Sequence, residues 1–205
     1  MEEFFTFAMI LSIATFTLST VSSPGPNNIM LLSSGLTFGY KKTIPHMFGI
    51  ILGFPFMVLF VGLGLGIVFE RFPIVFSVLK IIGILYLFWM AYKIAYNKST
   101  LDVEEVEESI PFTFVQSAAF QWVNPKAWIM AITAISIFVT SNDDSFIQVA
   151  IIAFIYLLSS IFSTSIWTVG GVVLKRFVKD SKIIRILNIL MAILLVVSVL
   201  PILLD

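Results

Sequence analysis

The stretch from Phe4 to Tyr40, FFTFAMILSIATFTLSTVSSPGPNNIMLLSSGLTFGY, carries no charged side chain. A helix needs about 20 apolar residues to cross roughly 30 Å of hydrocarbon, so this run is ample for one crossing. Its middle is broken by Pro24-Gly25-Pro26, with Asn27 and Asn28 directly after. Proline removes a helical hydrogen bond and clashes with the preceding turn. Inside a bilayer the backbone groups so freed cost several kcal/mol each, and such breaks survive only where protein or a watered cavity satisfies them. A break at this depth is therefore a candidate site. Pro24 and Pro26 would stop one helix, Gly25 would allow close backbone approach, and Asn27 and Asn28 would cap the next. The competing reading is a loop, with Pro24-Gly25-Pro26 marking the cytoplasmic end of a straight first span.

The rest of the chain supports a membrane setting. Of 205 residues 59% are hydrophobic and 12% charged, with a mean hydropathy of +1.06, whereas soluble domains carry about 25% charged residues. So few charges cannot cover a soluble surface. Net charge is zero, from twelve basic and twelve acidic residues, and no basic tract exists to follow a phosphate backbone, which argues against nucleic acid as a partner. With no cysteine and one histidine, thiolate chemistry is excluded and neither a metal site nor a cofactor is expected. Glu2 and Glu3 before the first apolar stretch point to a retained span rather than a cleaved signal peptide.

Five further intervals follow the first: Thr43 to Phe69, Phe72 to Tyr96, Ser109 to Asn142, Ser145 to Leu174 and Ile186 to Leu204. The fold class expected is an all-α integral membrane protein with six transmembrane helices. The fourth interval is broken like the first, by Asn124-Pro125-Lys126, roughly 100 residues after the first break. Asn124 suits a helix cap and Pro125 the first helical position. Lys126 falls near the centre of a span, where a charge costs at least about 2.5 kcal/mol, so a functional role is the default. Snorkelling is the alternative, with Trp122 and Trp128 as interfacial belt residues.

Each half thus reads as a proline-broken segment, a segment rich in small residues, then a plainer span. Since each half crosses an odd number of times, the copies would lie in opposite orientation, a plan common among secondary transporters. The organisation expected is one membrane domain over 1–205, made of three-helix repeats at 1–96 and 110–205 joined by an acidic cytoplasmic linker at 97–109. Lys41, Lys42, Lys93, Lys98, Lys175, Arg176, Lys179, Lys182 and Arg185 fall in alternate loops. The positive-inside rule then puts those loops in the cytoplasm and both termini outside. Both helices that start after the breaks would aim free N–H groups and a positive dipole end into the gap, which suits a carboxylate.

The run Ser23-Pro24-Gly25-Pro26-Asn27-Asn28-Ile29-Met30-Leu31-Leu32, the following Gly35 and Gly39, and Phe120-Gln121-Trp122-Val123-Asn124-Pro125-Lys126-Ala127-Trp128 resemble the LysE family of amino-acid exporters, nearest its RhtB-like branch. The resemblance covers length, six hydrophobic segments and the order of both motifs. It implies efflux of amino acids or close derivatives across a cytoplasmic membrane of bacterial type, driven by the proton motive force. Several members of that family carry Asp or Gln where this chain has Asn27, which bears on substrate charge and on proton coupling.

The candidate substrate-binding residues are Pro24, Gly25, Pro26, Asn27, Asn28, Asn124, Pro125 and Lys126. Ser160, Thr164 and Thr168 share a helix face and are candidates for a polar pathway, although such hydroxyls often bond back to their own helix. His46 and Glu70, near span ends, are the candidates for a proton-linked role; for His46 an interfacial place is favoured over a relay. Gly49, Gly53, Gly62, Gly64 and Gly66 would give span 2 a groove for another helix, with a kink at Pro55. No zinc-protease motif, phosphate-binding loop or acidic pair within a span speaks for an enzyme. The reading from another class is a non-transporting scaffold or partner-binding subunit, and self-association is left open.

Overall fold

The computed structural model describes residues 6–65, 71, 73–96, 110–140, 145–178 and 180–197. Among them are eight α-helices and no strand. The first half contains α1 (Phe7–Ser22), α2 (Pro26–Phe38), α3 (Tyr40–Phe60), which runs into a π-helical turn at Val61–Leu65, and α4 (Pro73–Tyr96). The second half contains α5 (Phe114–Val123), α6 (Pro125–Phe138), α7 (Ser145–Phe177) and α8 (Ser181–Val197). Glu2, Glu3, Glu70, the 97–109 linker and Asp205 lie outside the described residues.

Both proline motifs interrupt helices. The first span divides into α1 and α2, bent by 59° across Ser23-Pro24-Gly25. No extended loop intervenes, because the helix resumes at Pro26 itself. The fourth divides at Asn124 into α5 and α6. Two helical stretches, Tyr40–Gly64 and Ser145–Phe177, are long and apolar enough to cross a membrane, and α1 with α2 makes a third if the bent pair is one span. Ile81–Tyr96 and Pro125–Phe138 are shorter apolar helices.

Two boundaries differ from the expected spans. Helix α7 continues past Leu174 to Phe177, taking Lys175 and Arg176 into its last turn, where cations meet the negative end of the helix dipole. Helix α8 begins at Ser181 rather than Ile186 and so includes Lys182 and Arg185. Charge-free counting trims helix ends that carry basic side chains.

Two large cores organise the packing, beside a small cluster of Leu31, Met47, Ile50 and Ile51 between α2 and α3. Ile13 of α1, Phe54 and Met57 of α3, Trp128 and Ala131 of α6, and Ile152 and Tyr156 of α7 form one. Met30 and Leu36 of α2, Leu87 and Met90 of α4, Phe120 of α5, and Met191 and Leu195 of α8 form the other. At each proline break the chain leaves one core for the other: α1 and α6 belong to the first, α2 and α5 to the second. The halves also exchange partners, α1 packing on α7 and α5 on α3, while α4 packs on α8.

Glycines permit the closest of these contacts. A Cβ at Gly49 or Gly53 would strike α5 at the Phe114 carbonyl or the Ala118 backbone, and one at Gly83 would strike the Val123 carbonyl. Gly62 faces the Val149 and Ile135 side chains. The groove expected on span 2 is thus real at Gly49, Gly53 and Gly62, and its principal occupant is α5. Gly39, with φ of 80°, makes the turn from α2 into α3, a conformation that L side chains avoid.

Candidate functional site

The two breaks meet. Lys126, second residue of α6, extends its ammonium to the end of α1, donating to the Ser23 carbonyl and hydroxyl oxygens at 2.7 Å each and to the Pro24 carbonyl at 3.2 Å. These acceptors sit at the negative end of α1. The stem of Lys126 passes directly over Gly25: a Cβ there would lie 2.7 Å from Cδ and 2.9 Å from Nζ. A side chain at Gly25 would have to push the flexible end of Lys126 aside. The inward reach of Lys126 replaces the snorkelling alternative, and Trp128 is 3% exposed, with its indole N–H donating to the Trp122 carbonyl at 2.8 Å. Trp128 is a core residue and not part of an interfacial belt.

A second crossing lies beside the first. Asn27 Nδ2 donates to Gln121 Oε1 at 2.8 Å, and Gln121 Nε2 donates back to Asn27 Oδ1 at 3.2 Å. Gln121 also donates to the Ser117 carbonyl at 2.8 Å and is fully buried. Sequence reasoning did not single out Gln121. Its signal was a neutral amide inside an otherwise apolar segment, three residues before Asn124.

The asparagines play parts other than those expected. Neither Asn27 nor Asn28 caps α2, whose N-cap is Gly25 with Pro26 at the first turn. Asn28 instead turns back, its Nδ2 donating to the Val21 and Ser23 carbonyls at 2.7 and 2.8 Å. It thereby satisfies the acceptors that the break strips from α1. Asn124 does cap α6, accepting from the Lys126 N–H at 3.1 Å, and its carbonyl accepts from the Ala127 N–H at 3.0 Å. With Pro125 lacking an N–H, α6 does not offer the open start that was expected of both helices. Only α2 begins without a side-chain cap, and the Lys126 ammonium is beside that start.

A cavity of about 30 Å³ lies at this junction, with Gly25, Asn27, Asn28, Asn124 and Lys126 in its wall. Helix α7 contributes Ser160, Ser163 and Thr164, and Val21, Ile50, Phe54 and Met130 close it with apolar surface. Ser163, one of the hydroxyls clustered on this helix in the sequence, donates to the Val21 carbonyl at 2.9 Å. No Asp or Glu is among the lining residues, so Lys126 gives the wall a net positive charge. One water needs roughly 10–15 Å³, so this closed arrangement is of water size and an amino acid enters only if the helices part.

Other candidates lie elsewhere. Thr168 is fully buried but stands against α2, where its backbone meets Gly35, and not in the cavity wall. His46 is fully enclosed by protein instead of interfacial. Its ring packs edge-on to Phe112 at 5.3 Å between centroids, and neither ring nitrogen has a hydrogen-bond partner. Glu70 lies outside the described residues. Among the described residues no group of three or more His, Cys, Asp or Glu could hold a metal ion.

Two breaks thus meet at a small polar cavity within an all-helical chain that carries helices long and apolar enough to cross a membrane. The model of the LysE type translocator family matches residues 18–203, and the chain belongs to that family. Among its relatives are cysteine/O-acetylserine efflux proteins of Escherichia coli (strain K12), 31% identical over 183 residues, and of Salmonella choleraesuis, 32% identical over 185 residues. Each alignment covers 89% of this chain and 91% of the relative. These relatives belong to the RhtB-like branch of the family. No solved structure gives a significant match. Members of the family are transporters and not enzymes, which sets aside the scaffold reading.

Proposed function

We propose that this chain is a secondary active transporter that exports amino acids or close derivatives from the cytoplasm by proton antiport. Its six spans form two inverted three-span halves, 1–96 and 110–205, joined at 97–109, and the protein is a multi-pass component of the cytoplasmic membrane with both termini outside. Support for the halves comes from the repeated order of two half-helices, a long helix and a further helix, and from their exchanged packing. The relatives' names support an amino acid or derivative as cargo. Proton coupling is favoured by the lack of any nucleotide-binding motif in the sequence and by a size suited to rocking repeats.

The observation that carries the reading is the Lys126 ammonium at the uncapped start of α2, in a cavity wall that contains no carboxylate. A substrate carboxylate would take the ammonium from the Ser23 and Pro24 oxygens and accept from the N–H groups that open α2. Asn27, Asn28 and Asn124 supply adaptable hydrogen-bond partners around it. Exchanging Lys126 from the α1 end to the substrate would also release the tie between the two breaks, linking occupancy to opening.

Uptake of radiolabelled amino acids into inverted membrane vesicles with an imposed pH gradient tests this. Lys126→Met keeps the stem but removes the ammonium, and KM should rise about 10- to 100-fold, since a hydrogen bond to a charged group contributes about 1.5–3 kcal/mol. Lys41→Met, in the first turn of α3 and away from the cavity wall, should behave as wild type. A decarboxylated amine should be a poor competitor. Wild-type kinetics in Lys126→Met would sink the site, and transport that persists after the proton gradient is collapsed, with other gradients intact, would sink the coupling.

A further inference from the structure

We propose that His46 is a proton-binding site that gates the cytoplasmic side of the cavity: the closed packing holds the neutral ring, and protonation keeps this side open to water. This rests on the alternately opening transporter proposed above. His46 is fully buried on α3, and neither Nδ1 nor Nε2 has a hydrogen-bond partner. A neutral imidazole carries one N–H donor and one acceptor nitrogen, so both are unmet. Buried polar groups are almost always matched, and two unmet nitrogens on one ring call for a state in which they are met.

His46, Ile50 and Phe54 follow at four-residue spacing on one face of α3, and Ile50 and Phe54 line the cavity. The ring is therefore one helical turn from the cavity wall, towards the turn at Gly39. Thr43, a further turn along, pairs with Ser34 of α2 at 3.0 Å. On the other flank of α2, Thr168 of α7 meets Gly35, and its hydroxyl is buried and unmatched as well. Withdrawal of α2 would bring water to both groups at once.

An imidazolium has no place in the closed packing. Neither α2, α5 nor the 110–113 stretch that brings Phe112 onto the ring contains a titratable residue, and α3, α6 and α7 contain no Asp or Glu. Their other titratable groups are engaged or outside: Lys126 is held at Ser23, Lys175 donates to the Thr37 carbonyl, and Tyr156 packs on Phe54 two turns away. Tyr40, Lys41, Lys42 and Arg176 are exposed. Enclosing an unpaired cation costs far more than enclosing a neutral polar group. The closed state thus binds one proton fewer than the open one, so acid favours opening and closure waits for the proton to leave. Cytoplasmic pH thereby sets how fast the loaded protein can close.

Inverted vesicles present the cytoplasmic face to the bath. At a constant pH difference across the membrane, turnover of labelled cysteine or serine uptake should fall about tenfold as bath pH drops from about 7.5 to 5.5, the change in neutral fraction of an accessible histidine with its ordinary pKa of about 6.5. His46→Gln, which takes no proton, should remove that slope. Ser34→Cys reads the gate without transport: its labelling by an impermeant thiol reagent in the bath, relative to exposed Lys41→Cys, should rise with acid when His46 is present and stay flat in His46→Gln. Equally low labelling in both at the upper pH shows that the closed packing survives the substitution; where it does not, His46→Leu takes its place. An equal slope of uptake or of labelling with and without His46 overturns the proposal and leaves the carboxylate site standing. Labelling that follows pH through His46 in a chain that moves neither amino acid removes the transport reading and keeps the proton-dependent opening.

Discussion

Asn27 and Lys126 hold the same place in their helices: each directly follows the proline that opens α2 or α6, and each side chain crosses to the other half of the chain. Asn27 meets Gln121 near the end of α5, and Lys126 meets Ser23 at the end of α1. One crossing is neutral and reciprocal, the other charged and one-way. At this equivalent place only one of the two side chains is charged.

The neutral crossing should matter to stability and to export separately. Asn27→Leu leaves buried Gln121 with the Ser117 carbonyl but without its cross-chain partner, and an unsatisfied buried group costs about 1–3 kcal/mol. Thermal unfolding in detergent should show that loss, and export should fall although the chain still inserts. Adding Gln121→Leu should restore much of the stability, because removing both partners is milder than removing one, while export stays low. A double variant no more stable than Asn27→Leu would contradict the pairing.

Gly25 is the place where a single methyl group should disturb Lys126. Its φ and ψ of 176° and 179° are open to any residue, so Gly25→Ala strains no backbone. The added Cβ must displace the lysine stem it would meet at 2.7 Å, pulling Nζ from Ser23. Export by Gly25→Ala should drop at least about threefold, since more than half of a charge-assisted hydrogen bond's roughly 1.5–3 kcal/mol would be lost. Normal export would mean that the ammonium need not be held where it is.

Orientation is open to a labelling test, because the chain has no cysteine of its own. Single cysteines at Glu3 and Asp205 should react with an impermeant thiol reagent added outside intact cells, as the positive-inside rule predicts from nine basic residues that cluster at alternate junctions between the apolar intervals. Labelling only after permeabilisation would reverse the topology.

Much of the framework is legible in the sequence because its physics is local. The Pro24-Gly25-Pro26 cluster marks a break where the lone Pro45 and Pro55 inside α3 do not, and Asn124-Pro125 specifies a capped helix start through contacts within three residues. The roles of Asn28 and Gln121 are hidden for the opposite reason. Gln121 acquires its meaning from Asn27, 94 residues away, and Asn28 serves carbonyls whose need exists only once α1 has ended. The hydroxyls of Ser159, Ser163 and Thr164 cannot be told apart by spacing either, since their partners lie on other helices or in their own turn. His46 misleads similarly: a titratable ring near a span end suggests headgroups, yet Phe112 encloses it.

Because each core takes one half-helix from either side of the acidic linker, neither half is a folding unit. During synthesis α1 and its exposed carbonyls leave the ribosome 103 residues ahead of the lysine that will engage them. Until that lysine arrives, the carbonyls at the end of α1 lack the charged donor that meets them in the folded protein, so closure of the first break waits on the second.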